Sequence, residues 1–192
     1  MGNFVLMRLF LVGLVVLLSG CVLLPVAPTA ERPTQAESAP FALNGRVSVS
    51  HDGKRHSAGV RWKHLAQSDE ILLLTPLGQT AARIFYDASV ATLDEGGKHY
   101  QADDVEALMD QVLGWHLPLR GLRHWMLGRA VPGTSARITH DSQGRVSQLH
   151  QDGWEVSYVN YADSRLDSMP TRLELRRADV QATLLIDKWE WE

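Results

Sequence analysis

This 192-residue chain is poorest in cysteine: it has one, Cys21, so no intrachain disulfide can form. It also lacks the short motifs that announce enzymes. There is no phosphate-cradling glycine loop, dinucleotide fingerprint, Gly-x-Ser-x-Gly elbow or His-Glu-x-x-His pair. Its eight histidines are scattered, and His116 and His124, eight residues apart across Pro118, do not make a metal site. No basic run or interleaved basic and aromatic patch is present, which argues against nucleic acid as a partner. Beyond residue 20 no apolar run approaches the roughly 20 residues needed to span a bilayer.

What is present begins at the N-terminus. Arg8 supplies a positive region and Leu9 to Leu18 an apolar stretch, followed by Leu18-Ser19-Gly20-Cys21. An apolar stretch that short suits a signal peptide and not a transmembrane helix. A lone thiol directly after two small residues reads as the acceptor of a lipid, with cleavage before Cys21. Removing residues 1–20 leaves 172 of the 192 residues and takes one of the 19 basic residues, against 22 acidic ones. Residues 21–40 carry Pro25, Pro28, Pro33 and Pro40 among small and polar residues. They read as a semi-extended tether, which at about 3.1 Å per residue could reach up to roughly 60 Å. Val22 follows the cysteine where an aspartate commonly retains lipoproteins in the inner membrane of enteric bacteria. The expected address is therefore the outer membrane, facing the periplasm.

Residues 41–192 read as one domain. Phe41, Leu43, Val47 and Val49 alternate with polar residues, the period of a half-buried strand. Similar runs follow at 58–64, 70–75, 81–86, 89–93 and 98–101, separated by turn sequences such as His51-Asp52-Gly53-Lys54 and Asp94-Glu95-Gly96-Gly97. The period then changes. Val105, Leu108, Met109, Val112 and Leu113 are spaced as on a helix, with Asp103 and Glu106 in capping-box spacing and Gly114 as a stop. Pro118 opens a second short helix through Leu127, ended by Gly128. Strands resume at 137–140, 145–150, 154–160, 171–177 and 180–189. About eleven strands with short turns, and two helices mid-chain, predict a mainly β antiparallel meander curling into a barrel or deep half-barrel.

Two local features each admit two readings. Asp103-Asp104 could be imagined as a catalytic pair, but carboxylates at a helix N-terminus are explained by capping and the helix dipole. In Thr75-Pro76-Leu77-Gly78, proline and glycine make a tight turn, yet a leucine stands where turn chemistry favours a polar residue. Packed under a neighbouring loop, Leu77 would be ordinary core; exposed, it would be a hydrophobic prong. Turn chemistry alone favours the former.

Taken in order, several stretches resemble the family of the outer-membrane lipoprotein receptor LolB. They are Cys21, Phe41-x-Leu43-x-Gly45-Arg46, Trp62, Pro76-Leu77-Gly78-Gln79-Thr80, Gly97 and Ala102-Asp103-Asp104. Further along come Leu113-Gly114-Trp115 to Pro118, Leu122-x-x-Trp125-x-Leu127-Gly128, Gly153-Trp154-x-Val156-x-Tyr158, Pro170 and Ile186-Asp187-x-Trp189. The resemblance implies an α+β, mainly β fold: an open curved sheet forming an incomplete barrel, with helices as a lid over an apolar cavity. It implies no enzyme activity, cofactor or metal. It implies a monomer that receives acylated lipoprotein cargo from the periplasmic carrier LolA and places it in outer-membrane lipid. Leu77 becomes the membrane-inserting residue. Trp62, Leu113, Trp115, Trp125 and Leu127 are candidates for the cavity wall. A periplasmic lipid- or glycolipid-binding scaffold is the alternative, and a hydrolase using Asp103, Asp104 or a histidine a third reading.

Overall fold

A computed structural model describes residues 40–114 and 117–191. Cys21, the proposed signal peptide and the tether up to residue 39 lie outside the described residues, as do Trp115 and His116.

Eleven strands form one sheet in which every neighbouring pair is antiparallel. In chain order they are β1 (Phe41–His51), β2 (Lys54–His64), β3 (Asp69–Leu74), β4 (Thr80–Tyr86), β5 (Ala91–Glu95), β6 (Lys98–Ala102), β7 (Ala136–His140), β8 (Val146–Gln151), β9 (Trp154–Tyr161), β10 (Pro170–Arg177) and β11 (Val180–Trp191). Their spatial order is β6-β5-β4-β3-β2-β1-β11-β10-β9-β8-β7. The chain thus meanders outward to β6, crosses over, and meanders back from β7 until β11 pairs with β1. Because β6 and β7 do not pair, the barrel stays open.

The crossing segment carries both helices, α1 (Val105–Leu113) and α2 (Leu119–Trp125). These apolar-faced helices cover the concave side, where the alternating residues of the strands converge into the core.

The alternation predicted from sequence places the strands closely, with differences at their ends. β2 begins at Lys54 and not at residue 58, because its exposed first turn pairs with β1 although it buries nothing. β5 begins at Ala91 because Asp87 holds the preceding turn, accepting from the Ser89 and Val90 N–H groups. The first helix is capped by Asp104 and not by Asp103: Asp104 Oδ1 accepts from Glu106 N–H at 2.9 Å and Ala107 N–H at 3.0 Å. The expected capping box does not close. Glu106 turns instead to α2, where its Oε1 accepts from Arg120 N–H at 3.0 Å. α2 spans less than the 118–127 expected, and Pro118 is its N-cap residue.

Two-residue turns set the handedness of the hairpins. Asp52-Gly53 and Asp152-Gly153 both have positive φ at each residue. Such turns match the right-handed twist of the strands they join.

Candidate functional site: an apolar cavity with an exposed leucine at its open end

The antiparallel registers fix which turns share an end of the sheet. Ser50 on β1 stands opposite both Arg55 on β2 and Gln181 on β11. The β1–β2 tip therefore lies at the same end as the β10–β11 tip. By the same alternation, the β3–β4, β5–β6 and β8–β9 tips lie there too. At the opposite end, Phe41 pairs with Trp191 and His64.

Between the concave sheet face and the helices lies a cavity of about 670 Å³. That is within the roughly 300–1,000 Å³ typical of pockets that enclose small ligands. Its walls are aliphatic: Val60, Ile71, Ile84 and Leu93 from one half of the sheet, Leu175 and Leu184 from the other, and Leu108, Met109, Val112 and Leu122 from the roof. Polar residues appear at the hairpin-tip end, where His51, Asp52, Lys54 and Glu95 form the rim. The opposite end of the sheet is packed with rings. Phe41 lies 5.6 Å from Trp189 and 5.0 Å from His64, and Trp189 stacks on Trp191 at 5.7 Å. The cavity therefore has its mouth at the tips, and this ring cluster packs at the other end of the sheet.

Trp62 belongs to this wall and is locked in place. Its Nε1–H donates to Asp69 Oδ1 at 2.7 Å, and His64 Nδ1 lies 2.9 Å from the same oxygen. Arg123 Nη1 on α2 stands 3.6 Å from the other oxygen of this buried carboxylate. Burial, and then the charge of Asp69, push the Tyr86 hydroxyl far above its ordinary pKa. It stays protonated and donates to the Leu119 carbonyl at 3.3 Å. These bonds pin α2 at that end of the sheet.

The two helices are tied to each other through Arg120. Its Nε donates to Asp104 Oδ2 at 3.2 Å, and its Nη2 reaches the Asp87 carbonyl at 3.0 Å. Burial works to raise the Asp104 carboxyl, but the Ala107 N–H, the Arg120 guanidinium and the Glu106 N–H overcome it and hold it below the ordinary value. Glu106 is shifted the other way: burial raises it, and the Asp104 charge adds to the effect. Asp103 and Asp104 are thus a linker residue and a helix cap.

The other wall candidates divide. Leu113 lines the cavity near its mouth and is partly exposed. Trp125 and Leu127 are buried but do not line it. Trp125 packs against Trp154 at 6.4 Å and donates to Gln151 Oε1 at 2.9 Å, while Tyr158 Oη donates to its carbonyl at 2.6 Å. It anchors the crossing segment to β8 and β9. The walls that sequence reading missed carried a usable signal, because they are the same alternating residues that define the strands.

Leu77 is 88% exposed at the β3–β4 tip. The turn beneath it is firm. Gly78 N–H donates to the Thr75 carbonyl and Thr75 N–H to the Gln79 carbonyl, both at 2.8 Å, and Gly78 takes φ of 79°. The leucine is held in water by the structure of the turn. At the mouth itself His51 Nε2 lies 3.1 Å from Asp179 Oδ2, and their ligating atoms and that of Asp52 fall within 4.8 Å of one another. Among the described residues, no helix is long and apolar enough to cross a membrane.

A family model described as outer membrane lipoprotein LolB matches residues 39–189. Outer-membrane lipoprotein LolB of Nitrosomonas europaea is 38% identical over 197 residues, covering 96% of this chain and 93% of that one. Its namesake in Chromobacterium violaceum is 38% identical over 186 residues, covering 95% and 98%. That of an Azoarcus species is 39% identical over 176 residues, covering 91% and 90%. Among solved structures, a LolA superfamily protein from Nitrosomonas europaea superposes with a TM-score of 0.51 at 8% identity, covering 81% of this chain and 87% of that one. A DUF1329 family protein from Desulfovibrio piger gives 0.53 at 6% identity, covering 82% and 87%. Those two likenesses are of fold.

Proposed function

The chain belongs to the outer-membrane lipoprotein LolB family, and on that footing we propose that it takes acylated lipoproteins from a periplasmic carrier of the LolA type and places them in the outer membrane. It is a lipoprotein-localisation protein of the outer membrane. Cys21 carries its own lipid, and the domain faces the periplasm on the tether of residues 21–40. Transfer is by binding and release, without a covalent step.

The observation that carries this reading is the aliphatic cavity opening at the end where Leu77 stands. Each methylene withdrawn from water is worth roughly 0.8 kcal/mol. An acyl chain therefore cannot cross the periplasm unshielded, and it will pass spontaneously only toward a site that shelters it better. The cavity offers that shelter through wall contacts alone, since away from its rim it presents aliphatic side chains and the Trp62 ring. Leu77 supplies a brief bilayer contact. Burying one leucine in lipid contributes about 1.5–3 kcal/mol, enough to favour docking but not to hold the protein there. The lipid on Cys21 does the holding, as two or three chains do where one is marginal.

The test is a handover assay. Carrier loaded with a fluorescently labelled lipoprotein is mixed with the purified protein, and the partition of label is followed, then its appearance in phospholipid vesicles. Label should move to this protein and onward. Retention by the carrier, with a free lipid bound instead, would support the scaffold reading and defeat this one.

A further inference from the structure

The chain enters the domain at the end opposite its mouth. Phe41, where residues 22–40 join the sheet, pairs with Trp191 and His64 at the ring-packed end. The hairpin tips, with Leu77 and the cavity rim, stand at the other. A lipid on Cys21 and a leucine that meets lipid are therefore attached to opposite ends of one rigid sheet.

The separation follows from the register. Leu74, the last residue of β3, stands level with Gly59 on β2, and Gly59 with Arg46 on β1, five residues along from Phe41. At about 3.4 Å per residue that is about 17 Å, and the turn carries Leu77 farther, to roughly 25 Å from Phe41 along the strands. Nineteen residues, 22–40, separate Cys21 from Phe41. A flexible chain of that length has a root-mean-square span of roughly 25 Å, and a polyproline II chain reaches roughly 60 Å. The span available thus matches or exceeds the distance from Phe41 to Leu77. Tethered contacts are most frequent when span and distance match, and vanish when the tether cannot reach.

We infer that the domain works in two orientations on its own lipid, and that the length of residues 22–40 permits the second. With Phe41 toward the bilayer, the mouth faces the periplasm and receives cargo. With the domain inverted, Leu77 and the mouth face the leaflet that holds Cys21, and residues 22–40 reach back past the sheet. The surface that the mouth end meets is then the protein's own anchoring leaflet, and the acyl chain passes into it without crossing water. This rests on the function proposed above, through the lipid on Cys21 and the contact of Leu77. The first orientation needs almost no reach and the second needs roughly 25 Å. A short tether should permit acceptance and forbid delivery.

The test uses the lipidated full chain in phospholipid vesicles, dilute enough that delivery stays within one vesicle. Carrier is added, loaded with a lipoprotein whose acyl chain bears a fluorophore. Cross-linking of cargo to the domain reads acceptance. Quenching of the fluorophore by brominated phospholipid, above that in protein-free vesicles, reads delivery. Deleting residues 23–38 leaves three residues between Cys21 and Phe41, an extended reach of about 14 Å. This variant should accept cargo as the full chain does and deliver it at least tenfold more slowly. A Gly-Ser-Pro spacer as long as the deleted segment should restore delivery. Doubling residues 22–40 should slow it by no more than about threefold, following the −3/2 power of length. The deletion removes none of residues 40–191, so thermal melts should coincide. Delivery by the deletion variant at the rate of the full chain would overturn the inference. So would loss of acceptance, which is assigned to the orientation needing no reach, or a spacer of equal length that fails to rescue. A full chain that accepts no cargo counts against the proposed function; delivery indifferent to tether length counts against this inference alone.

Discussion

Leu77 is a large apolar side chain that contributes nothing to folding, since almost all of it stands in water. Replacing it with glutamate should leave the thermal midpoint within about 2 °C, because exposed substitutions away from special backbone sites shift stability by under about 0.5 kcal/mol. Delivery to vesicles should fall roughly tenfold or more, the equivalent of losing about 1.5–3 kcal/mol of lipid contact, while acceptance from the carrier is retained. Unimpaired delivery would remove Leu77 from the mechanism. The residue could be singled out in sequence as an anomaly of turn chemistry, but packed and protruding leucines read alike there. Exposure depends on what the neighbouring loops cover. Trp62 and Trp125 make the same point in reverse. Both are buried tryptophans with a hydrogen-bonded indole, yet one faces the cavity and the other the β8–β9 wall.

Among the elements, β1 shows how closely the two halves of the sheet are joined. Its register with β11 shifts between Asn44 and Gly45, and a methyl group on Gly45 would drive into the Leu185 carbonyl oxygen. Gly45→Ala should therefore cost about 3 kcal/mol or more, in the range of strongly destabilising substitutions, and urea denaturation checks it. α1 offers a second test. Asp104 caps it and holds Arg120, and its folded pKa is depressed. A depressed carboxylate contributes stability above its unfolded pKa of about 3.9 and loses it as pH falls through the lower folded value. Asp104→Ala should thus cost about 1 kcal/mol at pH 7, and the charge-dependent part of the gap to wild type should close below about pH 4 in melts at stepped pH. The helix itself was evident from its 3.6-residue period. Its true cap was not, because Asp103 and Asp104 are equally good caps in sequence, and Glu106 was drawn away by Arg120, fourteen residues on.

At the scale of the whole molecule, an open eleven-stranded sheet roofed by its own crossover leaves a hollow between sheet and helices. That hollow can be filled without disturbing its frame. Ala182 lines it on β11, so Ala182→Trp should project a ring into existing space. The variant should fold cooperatively, with a midpoint within a few degrees of wild type, and should accept several-fold less labelled cargo from the carrier. Normal acceptance would show that cargo binds elsewhere. A midpoint that collapses instead would mean that the hollow cannot admit the ring.

The amino-acid order alone determined where the strands, turns and helices fall, to within a few residues at their ends, because these follow from periods of two and 3.6 residues and from turn chemistry, all local in the chain. It also held the family pattern from Phe41 to Trp189. Tertiary structure alone decided which apolar residues border space and which border one another. It decided too that Leu77 and the cavity mouth lie at one end. Those are relations between residues distant in the chain, set by how far the sheet curls and by where the crossover comes to rest on it.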